Sequence, residues 1–222
     1  MTTAWWILFV CVAFAAGSTP FGYLIGRARG LDIRAHGSGN IGATNVARVC
    51  GKTLGIICFL FDAAKGAAPV LLAGWFMDTL GRPLNDLSQS SAWWWLATAF
   101  ASILGHSFSP WIGFKGGKGV ATGFGSMAAL WPIVTVPVGA AAVVWLFTLL
   151  VTRFVSLASI LAAATLPAIV LVQMVLANAY TPGAPFLVIT SLLALFVLVR
   201  HRGNLSRIRA HTEPRVGEKK KT

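Results

Sequence analysis

Lys115 and Lys118 stand among glycines in the stretch Gly113-Phe-Lys-Gly-Gly-Lys-Gly-Val-Ala-Thr-Gly123, between two apolar runs. Glycine removes side-chain bulk and allows positive φ, so successive N–H groups can turn toward one point. Such N–H groups, the positive end of a helix starting near Val120, and two lysine charges together predict a site for a phosphate group. The plain alternative is a solvated basic loop with glycines for a tight turn. The stretch is not a nucleotide P-loop. That pattern needs glycine where Ile112 stands and Ser or Thr where Gly119 stands.

A second polar row, Gly37-Ser-Gly-Asn-Ile-Gly-Ala-Thr-Asn-Val-Ala-Arg48, carries Ser38, Asn40, Thr44 and Asn45 as neutral hydrogen-bonding groups and Arg48 as a cation. In a helix, Asn45 and Arg48 would share a face. Neutral donors with one arginine suit a small polyhydroxy or phosphorylated ligand. Gly37, Gly39 and Gly42 match the dinucleotide fingerprint, but no strand precedes them, so that reading fails. Ser156 and Ser159 cap a helix or present hydroxyls to a site. His201, Arg202, Asn204 and Arg207 form a basic juxtamembrane segment. His106 is a candidate proton carrier or a structural hydrogen-bonder. Asp62 and Lys65, three apart in an apolar run, read first as a structural ion pair, because an unpaired charge at mid-membrane costs roughly 2.5–3.5 kcal/mol.

The elements that must hold these groups are membrane helices. Of 222 residues, 56% are hydrophobic and 11% charged, and mean hydropathy is +0.75. The fold class is therefore an all-α integral membrane protein, since backbone groups in lipid need partners within their own segment. Candidate spans are 4–26, 53–76, 92–108, 119–132, 134–152, 156–178 and 184–200, about seven transmembrane helices, the fourth being short. With the N-terminus outside and the C-terminus cytoplasmic, all 18 Lys and Arg except Lys65 and Arg82 face the cytoplasm. The net charge of +12 is then a membrane signature and not a nucleic-acid one. Residues 1–210 read as a single polytopic membrane domain, and 211–222 as a charged, disordered cytoplasmic tail. Trp93, Trp94 and Trp95 read as an interfacial belt. Cys11, Cys50 and Cys58 have no metal or redox spacing and read as free thiols.

Only six acids are present, Asp32, Asp62, Asp78, Asp86, Glu213 and Glu218, and none is expected to pair at the site. That disfavours metal hydrolysis and glycosidase chemistry. A basic site poor in carboxylates suits an anionic substrate, and its membrane setting suits a second, apolar one. A transporter of a phosphorylated solute would instead place polar groups near the midplane in repeated halves. A scaffold recruiting soluble enzymes through its basic face would bind partners without turnover.

The motifs at 37–48, Asp-Ala-Ala-Lys-Gly at 62–66, Gly-His-Ser-Phe at 105–108, Phe-Lys-Gly-Gly-Lys-Gly-Val-Ala-Thr at 114–122, the Ser156/Ser159 pair and His-Arg-Gly-Asn at 201–204 resemble, in order, the bacterial acyl-phosphate-dependent glycerol-3-phosphate acyltransferases, the PlsY family. Gly203 stands where a more polar residue is expected, and the chain beyond Ile208 is longer than expected. The resemblance implies a seven-span inner-membrane enzyme with a cytoplasmic site. It would transfer a fatty acyl group from acyl phosphate to the 1-hydroxyl of glycerol 3-phosphate, giving lysophosphatidate and phosphate, with no cofactor and no metal. Its partners would be these substrates, membrane lipid and, transiently, a soluble enzyme that makes acyl phosphate.

Carried over residue by residue, Ser38, Arg48, Lys118, Ser156, His201 and Asn204 form the polar shell around the substrates. Asn40, Thr44, Asn45, Lys115 and Gly117 are further substrate-binding candidates. Ser38 and His201 are the catalytic candidates. Ser38 is assigned to hydrogen bonding, because no histidine–carboxylate pair is evident to activate it as a nucleophile. The base is His201, His106 or a substrate phosphate oxygen, with His201 and the phosphate favoured.

Overall fold

The computed structural model describes residues 2–218; residue 1 and the last four residues of the expected tail, 219–222, lie outside the described residues. Among the described residues there is no strand, and the ten α-helices fall into two compact units, 1–135 and 136–222.

The first unit runs α1 (Thr2–Ser18), α2 (Phe21–Ala28), α3 (Ala43–Cys50), α4 (Lys52–Phe76), α5 (Gln89–Ser107) and α6 (Val120–Ala128). Pro20 has no N–H to continue the ladder, so α1 and α2 are separate helices. Three side chains close around this break. Lys65 Nζ donates to Thr19 O at 2.6 Å, Ser109 Oγ to Ser18 O at 2.6 Å, and Trp111 Nε1 to Ser18 Oγ at 2.8 Å. Helix pairs approach through glycine. A Cβ on Gly105 would lie 2.2 Å from Phe14 O, which brings α5 against α1. A Cβ on Gly125 would lie 2.0 Å from Ala63 O, which brings α6 against α4. In lipid, such close backbone approach is what holds helices together.

The second unit contains α7 (Thr135–Thr152, whose first residue closes the first unit), α8 (Val155–Leu176), α9 (Tyr180–Arg200) and α10 (Arg202–Arg209). Trp145 Nε1 donates to Ser159 Oγ at 3.3 Å, which ties α7 to α8.

Five segments are long and apolar enough to cross a membrane: Thr3–Ala28, Lys52–Phe76, Thr135–Thr152, Val155–Leu176 and Tyr180–Arg200. The other two expected spans differ. The fourth is α6, with nine residues, about 14 Å of helix against the ~30 Å of a hydrocarbon core. The third is α5, which has 19 residues but buries Thr98, Ser102, His106 and Ser107 inside its unit. Those polar groups lower its hydropathy while protein, not lipid, surrounds them.

The expected tryptophan belt is also only partial. Trp93 is exposed, whereas Trp95 is fully buried and donates from Nε1 to Val70 O at 2.9 Å. Trp95 is a core residue whose one donor is satisfied on the neighbouring helix. The expected disordered tail is tied down as far as it is described. Val216 N donates to Arg153 O at 2.9 Å, and Arg153 Nε donates to Val216 O at 3.0 Å.

Candidate functional site

In the first unit, the loop from Asp32 to Gly42 is built on Asn45. Its Oδ1 accepts from Ser38 N at 2.8 Å, and its Nδ2 donates to Ile33 O, His36 O and Asn40 O at 3.2, 3.0 and 2.8 Å. Gly37 (φ +62°) lets the chain turn there, and a Cβ would strike Asn45 Oδ1 at 2.2 Å. Asn40 Oδ1 accepts from Gly42 N at 2.8 Å, which leads the chain into α3. At the loop's start, the Arg34 guanidinium hydrogen-bonded to Asp32 holds its carboxyl down at about 2.

This geometry separates the candidates of the first motif. Asn45 is buried and its amide is committed to the loop, whereas Ser38, Thr44 and Arg48 are exposed and Asn40 is half-buried. The face expected to unite Asn45 with Arg48 instead unites Thr44 with Arg48, four residues apart in α3. Arg48 makes no ion pair or hydrogen bond among the described residues.

The lysine–glycine loop corrects the expected N–H cradle. Gly113 N donates to Pro110 O, Phe114 N to Ser109 O, Lys115 N to Ile112 O, Gly116 N to Ser107 O and Gly117 N to His106 O. Five successive N–H groups thus serve the fold. Positive charge remains in Lys115, which is exposed, in Lys118, which is half-buried, and in the first turn of α6, which Gly119 opens at φ +79°. Beneath the loop, Asp62 and Lys65 form the expected ion pair, with Lys65 Nζ 2.6 Å from Asp62 Oδ1 and both side chains almost fully buried.

In the second unit, two predicted site residues, Ser156 and Asn204, and the basic Arg207 converge on one carboxylate that was not predicted. Glu213 Oε1 accepts from Ser156 Oγ at 2.8 Å and from Asn204 Nδ2 at 2.6 Å, and Oε2 accepts from Arg207 Nε at 2.7 Å. The expectation that no acid pairs at the site is therefore corrected. Burial pushes the Glu213 carboxyl up, but hydrogen bonds from Asn204, Ser156 and Arg207 outweigh it and hold it below its ordinary value. Ser156 Oγ does not cap α8, whose N-cap residue is Phe154. Ser159 is buried and donates to Val155 O. His201 is buried at the α9–α10 junction, with Nδ1 2.8 Å from Val197 O. With Nδ1 as the donor, the basic nitrogen of the neutral ring is Nε2.

The signal for Glu213 was present in the sequence as scarcity. It is one of six acids in a chain of 222, close to a run of arginines. Its place in a charged terminal segment masked it.

A family model described as glycerol-3-phosphate acyltransferase matches residues 7–211. The chain belongs to the glycerol-3-phosphate acyltransferase family. Relatives in that family include the glycerol-3-phosphate acyltransferase of Thermosynechococcus vestitus, 41% identical over 224 residues and covering 98% of each chain. That of Geobacter sulfurreducens is 41% identical over 210 residues, covering 94% of this chain and 96% of its own. Among solved structures, PlsY, an integral membrane glycerol 3-phosphate acyltransferase, is similar in its glycerol 3-phosphate form, with a TM-score of 0.82, 34% identity and 96% of each chain covered. Its lysophosphatidic acid form gives a TM-score of 0.79 at 33% identity, covering 96% of this chain and 95% of that one. The chain is an all-helical integral membrane protein of this family.

Proposed function

We propose that this chain is a glycerol-3-phosphate 1-O-acyltransferase whose donor is an acyl phosphate. The observation that carries the reading is the likeness to PlsY in two forms, one with glycerol 3-phosphate and one with lysophosphatidic acid. These are an acceptor and its acylated product. The donor is argued from chemistry. In an acyl phosphate the leaving group at the reacting carbon is itself a phosphate, which basic side chains at Arg48, Lys115 and Lys118 suit.

In the step itself, the O1 hydroxyl of glycerol 3-phosphate bonds to the acyl carbonyl carbon and the bond from that carbon to the phosphate oxygen breaks. Lysophosphatidate and inorganic phosphate leave. The hydroxyl proton passes to a substrate phosphate oxygen or to His201 Nε2. Arg48 and Lys118 bind phosphate and stabilise the charge that grows on the leaving group. Ser38, Asn40, Thr44 and Lys115 are further contacts of the same substrates, whereas Gly117 acts through the loop it turns, and Ser156 and Asn204 act through the Glu213 carboxylate to which they donate. Asn45 acts by holding the first loop in place.

The site faces the cytoplasm and the enzyme works in the bacterial inner membrane, an orientation supported by the distribution of Lys and Arg. A soluble enzyme that makes acyl phosphate is a transient partner. The reading is tested by offering labelled glycerol 3-phosphate and acyl phosphate to purified protein. Labelled lysophosphatidate with stoichiometric phosphate is the expected result. No product from folded protein would overturn it.

A further inference from the structure

A buried charged cluster lies directly under the lysine–glycine loop, and the reaction as written does not use it. Asp62 Oδ1 is 2.6 Å from Lys65 Nζ and 3.6 Å from His106 Nδ1, and all three side chains are at least 95% buried. Lys65 is accounted for, since it also donates to Thr19 O at the break between α1 and α2. His106 carries the contact upward. Its carbonyl accepts from Gly117 N at 3.2 Å. Its ring lies so close to Gly117 that a Cβ there would meet Nε2 at 2.1 Å. Gly117 is the residue before Lys118.

We infer that Asp62 is a positioning residue for the Gly117–Lys118 segment, acting through His106. The physical reasoning is short. Gly117 has no side chain of its own to fix the loop. The backbone hydrogen bond to His106 O and the ring packed against it both bear on its position. The ring turns its Nδ1 toward the buried carboxylate of Asp62 at 3.6 Å, and that charge, held by Lys65, biases the ring's orientation. Rotation of the imidazole in the absence of that carboxylate moves Gly117, and with it the base of Lys118. A displacement of about 1 Å at a binding group is enough to cost as much as a hundredfold in rate. Ser107 and Thr122 place two more buried hydroxyls on the elements flanking the loop, so the surroundings stay polar without supplying a competing charge.

This inference rests on the reading of Lys118 as a phosphate ligand. Its test is therefore equilibrium binding of glycerol 3-phosphate in the absence of any donor, by calorimetry on purified wild-type, Asp62→Asn, His106→Phe and the double variant. His106→Phe keeps a ring against Gly117 but removes the contact to Asp62. It also keeps the Asp62–Lys65 pair, so it remains informative where Asp62→Asn fails to fold. The expected result is a Kd raised about tenfold in each single variant, with the double variant no weaker than the weaker single, as for two residues acting in series. In turnover, kcat/KM for glycerol 3-phosphate falls in step with the weaker binding while the Tm of His106→Phe stays at the wild-type value, a split that a purely structural role would not produce. Unchanged Kd in folded His106→Phe would overturn the inference alone. A wild-type protein that binds no glycerol 3-phosphate would overturn the functional reading and the inference with it.

Discussion

The carboxylate of Glu213 lies 2.6 Å from Asn204 Nδ2 and 2.8 Å from Ser156 Oγ. It joins α8 and α10 through a residue that follows the last helix. Glu213→Gln keeps the shape and removes the charge, so the ion pair to Arg207 is lost and the two remaining contacts weaken. We expect a stability loss of roughly 1.5–3 kcal/mol, the usual range for hydrogen bonds to a charged group, read as a lower Tm in detergent. Arg207→Gln should lose less than Glu213→Ala, because the arginine is exposed.

The same contact sets a pH dependence. The folded carboxyl of Glu213 titrates below its ordinary value of 4.5. Its contribution is therefore fully present above about 4.5 and is lost as pH falls through the lower folded value. Hydrogen exchange of the 212–216 amides should stay slow from pH 7 to about 5, after correction for intrinsic rates, and quicken below about 4. In Glu213→Gln that acid-induced change should disappear.

Arg48 and Asn45 should separate function from fold, although they lie three residues apart. Arg48 is exposed and unpartnered among the described residues. Arg48→Ala should leave stability within the ~0.5 kcal/mol typical of surface changes, while acyl transfer falls about a hundredfold or more. Lys118→Ala should lower acyl transfer by a similar factor.

Asn45→Ala should do the reverse in kind. It leaves one N–H and three carbonyls of the loop without their partner. We expect roughly 2–4 kcal/mol of destabilisation, visible as a fall in Tm before any substrate is added. Asn40→Ala, which removes one turn contact, should cost less.

The helical membrane fold was legible because apolar runs of about 20 residues have few other outcomes. The Asp62–Lys65 pair was legible for the same reason, since a lone charge in such a run is too costly. What the sequence concealed depends on contacts between distant segments. Nothing local marks Trp95 as core while Trp93 is exposed; the difference arises where Trp95 meets Val70 on α4. The glycines of 113–117 advertised an anion cradle, but their N–H groups answer to carbonyls of the preceding turns. Asn45 looked like a ligand because a buried asparagine serving its own loop and an exposed one serving a substrate have the same neighbours in sequence. Glu213 was hidden by the charged tail around it. α6 read as a span because the apolar run at 119–132 continues past its nine-residue helix, whereas α5 has 19 residues and a hydropathy lowered by the polar side chains it buries within its unit.

The central claim is the identity of the acyl donor. Purified protein in lipid should be given labelled glycerol 3-phosphate with acyl phosphate and, in a parallel sample, with the acyl coenzyme A of the same chain. Lysophosphatidate from the acyl phosphate alone is the predicted result. Lysophosphatidate from the thioester alone would contradict the account while leaving the family intact.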